Sequence, residues 1–436
     1  MKGNSAIDAA EMGTTMYGKD DNGNFSTTVS INVADFEGKK YYVGRSVLTR
    51  DNVSIIGQSQ DGTVIYNDPR LCGAYTSATL RIGDEVKNTY MQDLTLENRF
   101  CNSQGNKPWS NATHEGGGAP AIYDNGTHTI AKNVSFKAHD FTHVTTAWVG
   151  NVAKPTSVRV TDNYYEDCAL WGTRYMLYDQ GQAWWERPTV VMRLNSDRAN
   201  TFSLLEHYQA EQPWGYVLAN GKVIAESDAA KTRNNNQFIL ATRLRNSPAL
   251  TWINMKFDVL PSAAGYDKYQ GTGGVIRLHE YNSMTASGTP LDLSQRSLAC
   301  FAPEAGSDVC VLTSDQKDAY NVQNVLGGNE AYDPRVHTVQ ANMNGKDLRI
   351  TTNNDGKTQF DWDAVSNAMC YFVFRIDKQT NDTVFYEITT HNYCVPDQKK
   401  DAGYYFVVRA ANERGGLGSP SKARKFEPLD TYVVEF

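Results

Sequence analysis

The sequence predicts an all-β chain: a solenoid of short stacked strands, followed by a small β-sandwich. Three observations point there. First, short runs that place every second side chain on one face recur every few tens of residues. They are Val53-Ser54-Ile55-Ile56, Met91-Gln92-Asp93-Leu94-Thr95-Leu96, Asn133-Val134-Ser135-Phe136, Asn163-Tyr164-Tyr165-Glu166 and Thr251-Trp252-Ile253-Asn254-Met255-Lys256-Phe257. A period of two marks a strand, and recurrence between Gly/Asn turns marks coils that bury a shared core. Second, helical periodicity is almost absent over the same span. Third, from about residue 346 the strands close up into the clean alternation of a sandwich.

Taken in order, Ala6 to Ala10 (AIDAA) reads as a short helix, the usual cap on a solenoid's open end. Residues 51–260 are the coils. Within them, the segments after Phe136 and after Cys168 fall side by side on neighbouring coils. What one coil presents outward can therefore cooperate with what its neighbour presents. Residues 261–335 are polar, with turns and a few short elements, and 336–345 read as a linker. The domains are thus 1–335 and 346–436. The sandwich strands are Leu348-Arg349-Ile350, Phe360-Asp361-Trp362, the runs from Cys370 to Ile376 and from Thr383 to Ile388, and the run from Tyr404 to Ala410.

Charge and composition set limits. A net charge of −7 argues against a nucleic-acid partner, although a groove that concentrates Arg can still hold an acidic glycan. No apolar run approaches the roughly 18 residues that a membrane span needs. The start, MKGNSAIDAAEMG, has no apolar signal core, which fits either a cytosolic protein or a chain cut after its signal. None of the seven cysteines forms a C-x-x-C pair, so no zinc site is expected. Cys300 with Cys310, and Cys370 with Cys394, either bridge or stay as buried thiols. No Asp cluster has calcium-loop spacing, H-E-x-x-H and G-x-S-x-G are absent, and no metal or cofactor is expected.

Two resemblances carry more. Tyr404, Phe406, Val408 and Ala410-Ala411-Asn412, then Gly418-Ser419-Pro420, with Trp362 before them, resemble a fibronectin type III module over roughly the last 90 residues. Such a module implies a spacer or a binding accessory. Upstream, VSIIGQSQDGTVI (Val53 to Ile65), ATLRIGDEVKNTYMQDLTLEN (Ala78 to Asn98) and QPWGYVLAN (Gln212 to Asn220) resemble successive coils of the pectin methylesterases. HEYNSMTASGTPLDLSQRS (His279 to Ser297) and LTSDQKDAYNVQNVLGGNEAYDP (Leu312 to Pro334) resemble that family's closing stretch. The pieces keep the family's order over roughly residues 50–335. The resemblance implies a right-handed parallel β-helix of the pectin lyase-like kind, export from the cell, and action on methyl esters of galacturonate.

The same resemblance implies a nucleophilic Asp, a proton-donating Asp, an oxyanion-binding Gln and an Arg that holds the nucleophile. These do not follow. The family's "GQAVA" falls on residues 118–122, with Ala119 at the Gln position. Its "QDT" falls on Asp140-Phe141-Thr142, so Phe141 takes the place of the acid. Its "DFIFG" begins at Tyr175, and its "GRPW" puts Thr242 where Arg is expected, with Arg243 one place away. A slip of one residue turns a strand side chain to the other face. Without nucleophile and acid the standard mechanism loses its covalent and proton-handling steps, and losing the Gln removes about 10²–10³ more in rate.

The candidates that remain each have a bland counterpart. Asp140, beside His139 and near His143, is either an acid or base or a solvated strand end; strand alternation puts Thr142 on its face and both histidines on the other. Asp179 is either a relocated nucleophile or a turn residue before Gln180-Gly181. Arg174, Arg243 and Arg245 form either a cationic wall for uronate carboxylates or ordinary strand charges. Tyr175, Trp148, Trp171, Trp184, Trp185 and Trp214 are either sugar-stacking surfaces or anchors. Adjacent Trp184 and Trp185 cannot both point inward on a strand, so one is expected to be exposed. Three functions are in play: an esterase with a rebuilt site of Asp140, Asp179 and Arg243; a pectic-glycan-binding β-helix that no longer cuts; and a lyase or glycosidase on the same scaffold.

Overall fold

The computed structural model describes residues 46–67, 77–100, 119–145, 161–179, 181–194, 201–207, 214–233, 238–246, 248–267, 276–296, 311–328 and 332–429, with backbone strands at Tyr17–Lys19, Phe25–Thr27, Lys40–Tyr42, Trp148–Asn151 and Lys154–Val158. The AIDAA segment and Cys72, Cys101, Cys300 and Cys310 lie outside these. The chain divides into two compact units, one dominated by Val64–Pro334 and the other by Arg335–Phe436.

The first unit is a parallel β-helix with three faces. Along the first face lie 90–92, 130–132, Asn163–Glu166, Ala183–Glu186, Tyr216–Ala219, Ala249–Ile253 and Arg277–Tyr281, each parallel to the next. The second face carries Val64–Asn67, 94–98, 134–137, Ala169–Gly172, Thr189–Met192, Lys222–Ala225, Lys256–Phe257 and Met284–Thr285. Ser46–Leu48, Leu80–Ile82, Ile122–Asp124, His143–Thr145, Arg174–Asp179, Thr201–His207 and Ile239–Asn246 make the third.

The corner between the first two faces is one stacked column. The strand registers align Asp93, Asn133, Asp167, Arg187, Asn220, Asn254 and Asn282, and all seven have left-handed φ between 51° and 61°. That region disfavours residues with a Cβ by about 1–2 kcal/mol, with Asn and Asp penalised least because their short side chains bond locally. Here those bonds run from coil to coil. Asn133 donates to Asp93 at 2.7 Å, Asn254 to Asn220 at 2.9 Å and Asn282 to Asn254 at 3.0 Å. Arg187 is the exception, and it reaches both oxygens of Asp167, at 2.8 and 3.0 Å, and Glu166 at 2.8 Å.

Inside the coils, Phe136, Leu170, Val190, Val223 and Phe257 stack from strand to strand, as do Tyr165, Trp185, Leu218 and Trp252. Tyr165 and Trp185 lie ring on ring, centroids 4.0 Å apart. Toward the end of the unit the fully buried Glu280 pairs with Arg296 at 2.7 and 3.2 Å. Arg296 also donates to the carbonyls of Ser262 and Ala263. Burial raises the Glu280 carboxyl above its ordinary range, and Arg296 pulls it partly back. Gly265, at φ +72°, leaves room for that guanidinium; a Cβ there would sit 2.7 Å from Arg296 Cδ.

The second unit is an antiparallel sandwich. One sheet holds Arg349–Thr352, Thr358–Asp361 and Tyr393–Cys394. The other orders Thr383–Thr389, Cys370–Ile376, Tyr405–Ala411 and Leu417–Pro420, with Arg424–Lys425 beside the third. Phe360, Trp362, Tyr371, Val373, Phe406, Val408 and Phe426 fill the space between. Cys370 and Cys394 lie on different sheets and are free thiols, so the bridged alternative falls for that pair.

The corner column yields a stability test. Asn254→Gly keeps the left-handed conformation and loses two exposed hydrogen bonds, a cost of about 1 kcal/mol. Asn254→Ala adds the conformational penalty, about 1 kcal/mol more. Urea unfolding of the three chains measures both, and equal losses for Gly and Ala would remove strain from the account.

Candidate functional site

The site that the sequence singles out lies on the third face. Asp140 and Arg174 face each other through a parallel bridge, 34 positions apart. The next pair along, His143 and Leu177, keeps the same offset, so this stretch of both coils is in register. The residue after each, Phe141 and Tyr175, takes a left-handed φ of 57° and 51°. That turn breaks the simple alternation expected for 139–143.

The consequence is an ion pair. Arg174 Nη2 donates to Asp140 Oδ2 at 2.8 Å and Nε to Oδ1 at 3.4 Å, with both side chains buried. Asp140 is therefore not a solvated strand end, and Arg174 is not a free element of a uronate-binding wall. Thr142 does not act with Asp140; its hydroxyl donates to the Trp171 carbonyl at 2.9 Å.

Beside the ion pair the surface is aromatic. Phe141 and Tyr175 lie 5.3 Å apart, Phe141 and Tyr178 4.6 Å, and Ala78, Tyr123 and Val144 complete the cluster. The Arg174 guanidinium stands 4.6 Å from the Tyr175 ring. Phe141 and Tyr175 are buried, and Tyr178 is half-buried. Tyr175 is thus part of this cluster rather than an open sugar platform. The other two aligned positions are equally altered. Ala119 packs with Phe100, and the Thr242 hydroxyl bonds the Asp267 carboxylate.

His143 does not assist Asp140. His143 turns inward, edge-on to Phe136, Tyr165 and Trp185 at 5.0–5.2 Å, with Nδ1 3.2 Å from Thr145 Oγ1. Burial lowers its pKa to about 3. His139 also falls to about 3, through burial and then the positive charge of Arg193. Both are neutral near neutral pH, His143 in the core and His139 half-buried.

The tryptophans divide. Trp185 is core. Trp184 is only 5% exposed, against the expectation that one of the two would be open. Its strand packs against the helix Val322–Leu326, and its indole N–H donates to Glu186 at 2.9 Å. Trp171 is half-buried, with the Lys137 ammonium 4.7 Å from its ring, and Trp214 is half-buried, edge-on to Tyr320. For Asp179, Arg243, Arg245 and Trp148 the strand backbone is placed, and the side chains lie outside the described residues.

Sequence reasoning missed Asp124 and Asp267. Asp124 is fully buried and accepts bonds from Tyr165, Asn163, Thr129 and the Gly126 N–H, at 2.8–3.2 Å. Burial and this carboxylate hold the Tyr165 phenol protonated. Nothing in the local pattern around Asp124 separates it from a turn residue before Asn125-Gly126. Asp267 is brought to Thr242 by the bridge between Ala241 and Tyr266.

No family model matches this chain, and no curated protein matches it. Among solved structures it is similar to pectin methylesterase PemA from Erwinia chrysanthemi, at 19% identity over 68% of this chain and 87% of the other, with a TM-score of 0.48. It is similar to pectin methylesterase from Yersinia enterocolitica at 17% identity, over 69% and 98%, with a TM-score of 0.48. A pectin methylesterase solved with a hexasaccharide is similar at 18% identity, over 68% and 87%, again with a TM-score of 0.48. Among the described residues, no helix is long and apolar enough to cross a membrane.

Two tests follow from this geometry. Arg174→Met strands the buried Asp140 carboxylate and costs about 3–5 kcal/mol, whereas pairing it with Asp140→Leu recovers most of that loss. A double-mutant cycle in urea reads the difference, and simple additivity would contradict the pairing. The second concerns pH. The folded pKa of His143 lies below its unfolded 6.5, so the unfolded chain binds the proton first. Stability is complete above pH 6.5 and falls toward pH 3, by roughly 1.4 kcal/mol per unit for this residue. His143→Leu should flatten the fall of the urea midpoint between pH 6.5 and 4; an unchanged slope would acquit His143.

Proposed function

We propose that the first unit is a pectic-glycan-binding β-helix on an esterase-like scaffold, with ester hydrolysis lost. The carrying observation is the aromatic pair Phe141–Tyr175, packed where the resemblance calls for the proton donor and the nucleophile. Phe141 has no group that can protonate methoxide, and the Tyr175 ring is buried in the apolar cluster against Arg174 rather than open to an ester carbonyl. The nearest carboxylate, Asp140, is buried against Arg174. The ordered resemblance over roughly residues 50–335 supports the pectic ligand, and the half-buried Trp171 and Trp214 are the rings left to stack on sugar faces. Under the same reading the chain works outside the cell, and the second unit is a fibronectin type III-like accessory.

One observation favours a second reading. A carboxylate held by a guanidinium is the arrangement that the resemblance gives the nucleophile, and Asp140–Arg174 has that form one position away. In that case Asp140 attacks the ester carbonyl to form an acyl-enzyme anhydride, a water molecule protonates the departing methoxide to methanol, and the hydroxide left behind hydrolyses the anhydride to free both carboxylates.

Methanol release from highly esterified pectin and retardation in a polygalacturonate gel separate the two. The binding reading expects no methanol above buffer, together with retardation that Arg243→Ala/Arg245→Ala weakens several-fold. Methanol release abolished by Asp140→Asn would install the rebuilt esterase instead. A chain that neither releases methanol nor binds would end both.

A further inference from the structure

We propose that the outer face of the three-stranded sheet in the second unit is a carbohydrate-binding surface for a neutral polysaccharide. This goes beyond the β-helix reading and stands on different residues. His391 and Tyr393 are both exposed, and their rings lie 5.1 Å apart and within 10° of parallel. Stacked on one another, they make one small aromatic platform on the exposed side of the sheet.

The sheet register surrounds that platform with polar groups. Tyr393 stands directly opposite Asp361, and Asp361 opposite Arg349, one row across three strands. Gln359 and Thr351 form the next row. The alternate residues Phe360 and Cys394 turn into the core, so these rows belong to the outer side. The polar groups are already oriented. Gln359 Nε2 donates to Asp361 Oδ1 at 2.9 Å, and the Thr351 hydroxyl bonds the other Asp361 oxygen. Arg349 Nη1 donates to Asp363 at 2.7 Å. The Gln359 carbonyl and the rest of the guanidinium edge remain available to a ligand.

The chemistry selects the occupant. A sugar ring offers an apolar C–H face to an aromatic platform and a rim of hydroxyls to amide, carboxylate and guanidinium groups. A protein partner would bury an apolar centre, and this face offers two rings set among polar side chains. Its charges balance, Arg349 and Lys346 against Asp361 and Asp363, with Arg349 already paired to Asp363, so the face has no surplus positive charge to hold a polyuronate. A neutral glycan meets the aromatic, the polar and the electrostatic requirement together.

Affinity electrophoresis of the full chain tests this, in gels containing arabinan, galactan, xyloglucan, mannan or mixed-linkage glucan, with polygalacturonate as a parallel gel. At least one neutral glycan should retard the protein. Tyr393→Ala should abolish that retardation, Tyr393→Phe should keep it, and Gln359→Ala should weaken it several-fold. An unchanged melting midpoint shows that Tyr393→Ala is folded, and its polygalacturonate retardation should match the wild type. No retardation by any neutral glycan, or full retardation of Tyr393→Ala, overturns the proposal. So does a Tyr393→Ala effect confined to polygalacturonate. Loss of polygalacturonate binding in the wild type, with neutral retardation intact, counts against the β-helix reading alone.

Discussion

The left-handed corner is the constraint on which the β-helix depends. Each coil must leave one face and enter the next at the same height, or the strands above and below lose register. One residue per coil absorbs the change of direction, and in seven successive coils it falls in one column. The numbers of residues between column members differ widely, from 20 between Asp167 and Arg187 to 40 between Asp93 and Asn133. What repeats is a backbone conformation, not a length. Asn and Asp suit it because they tolerate left-handed φ and can pass a hydrogen bond to the next coil. Arg187 meets the same demand at a higher conformational cost and offsets it with bonds to Asp167 and Glu166.

The same device shapes the candidate site. Phe141 and Tyr175 are left-handed residues in adjacent coils, and they gather their rings with Tyr178. The position before them brings Asp140 to Arg174. Backbone geometry thus prepares two adjoining pairs of side chains, one apolar and one ionic. A buried carboxylate matched to a guanidinium needs no further partner, and matched pairs of this kind add specificity more than stability. Both pairs are buried on the described third face.

Much of this was legible in the sequence. Alternation found strand-bearing runs at 91–96, 133–136, 163–166 and 251–257, but left-handed Asp93 and Asn254 divide the first and last between two faces, and the closer spacing after 346 found the sandwich. The identities at the four positions aligned by resemblance were legible as well, because residue identity needs no structure. Direction was not. The alternation rule assumes an unbroken strand, and the left-handed φ at Phe141 breaks it one residue after Asp140. Burial was not legible where it depends on distant chain: the strand that carries Trp184 packs against a helix more than a hundred positions away. Spacing suggested that Cys370 and Cys394 could pair, but sheet assignment separates them, and two residues of one sandwich can face different layers.

Stability and chemistry are carried by different parts of the coil. The corner column joins the first and second faces. The aromatic stack of Tyr165, Trp185 and Trp252 fills the interior, and Glu280–Arg296 ties the last coils. None of these depends on what the third face shows to the outside. Side chains there can change from carboxylate to aromatic without disturbing the column or the stack, because coil register is set elsewhere. A β-helix can therefore lose a reaction and keep its scaffold. The reverse does not hold, since a change in the corner column moves every face at once. That asymmetry lets side chains on the third face vary while the order of the coils is kept, and it places the test of ester cleavage on the third face.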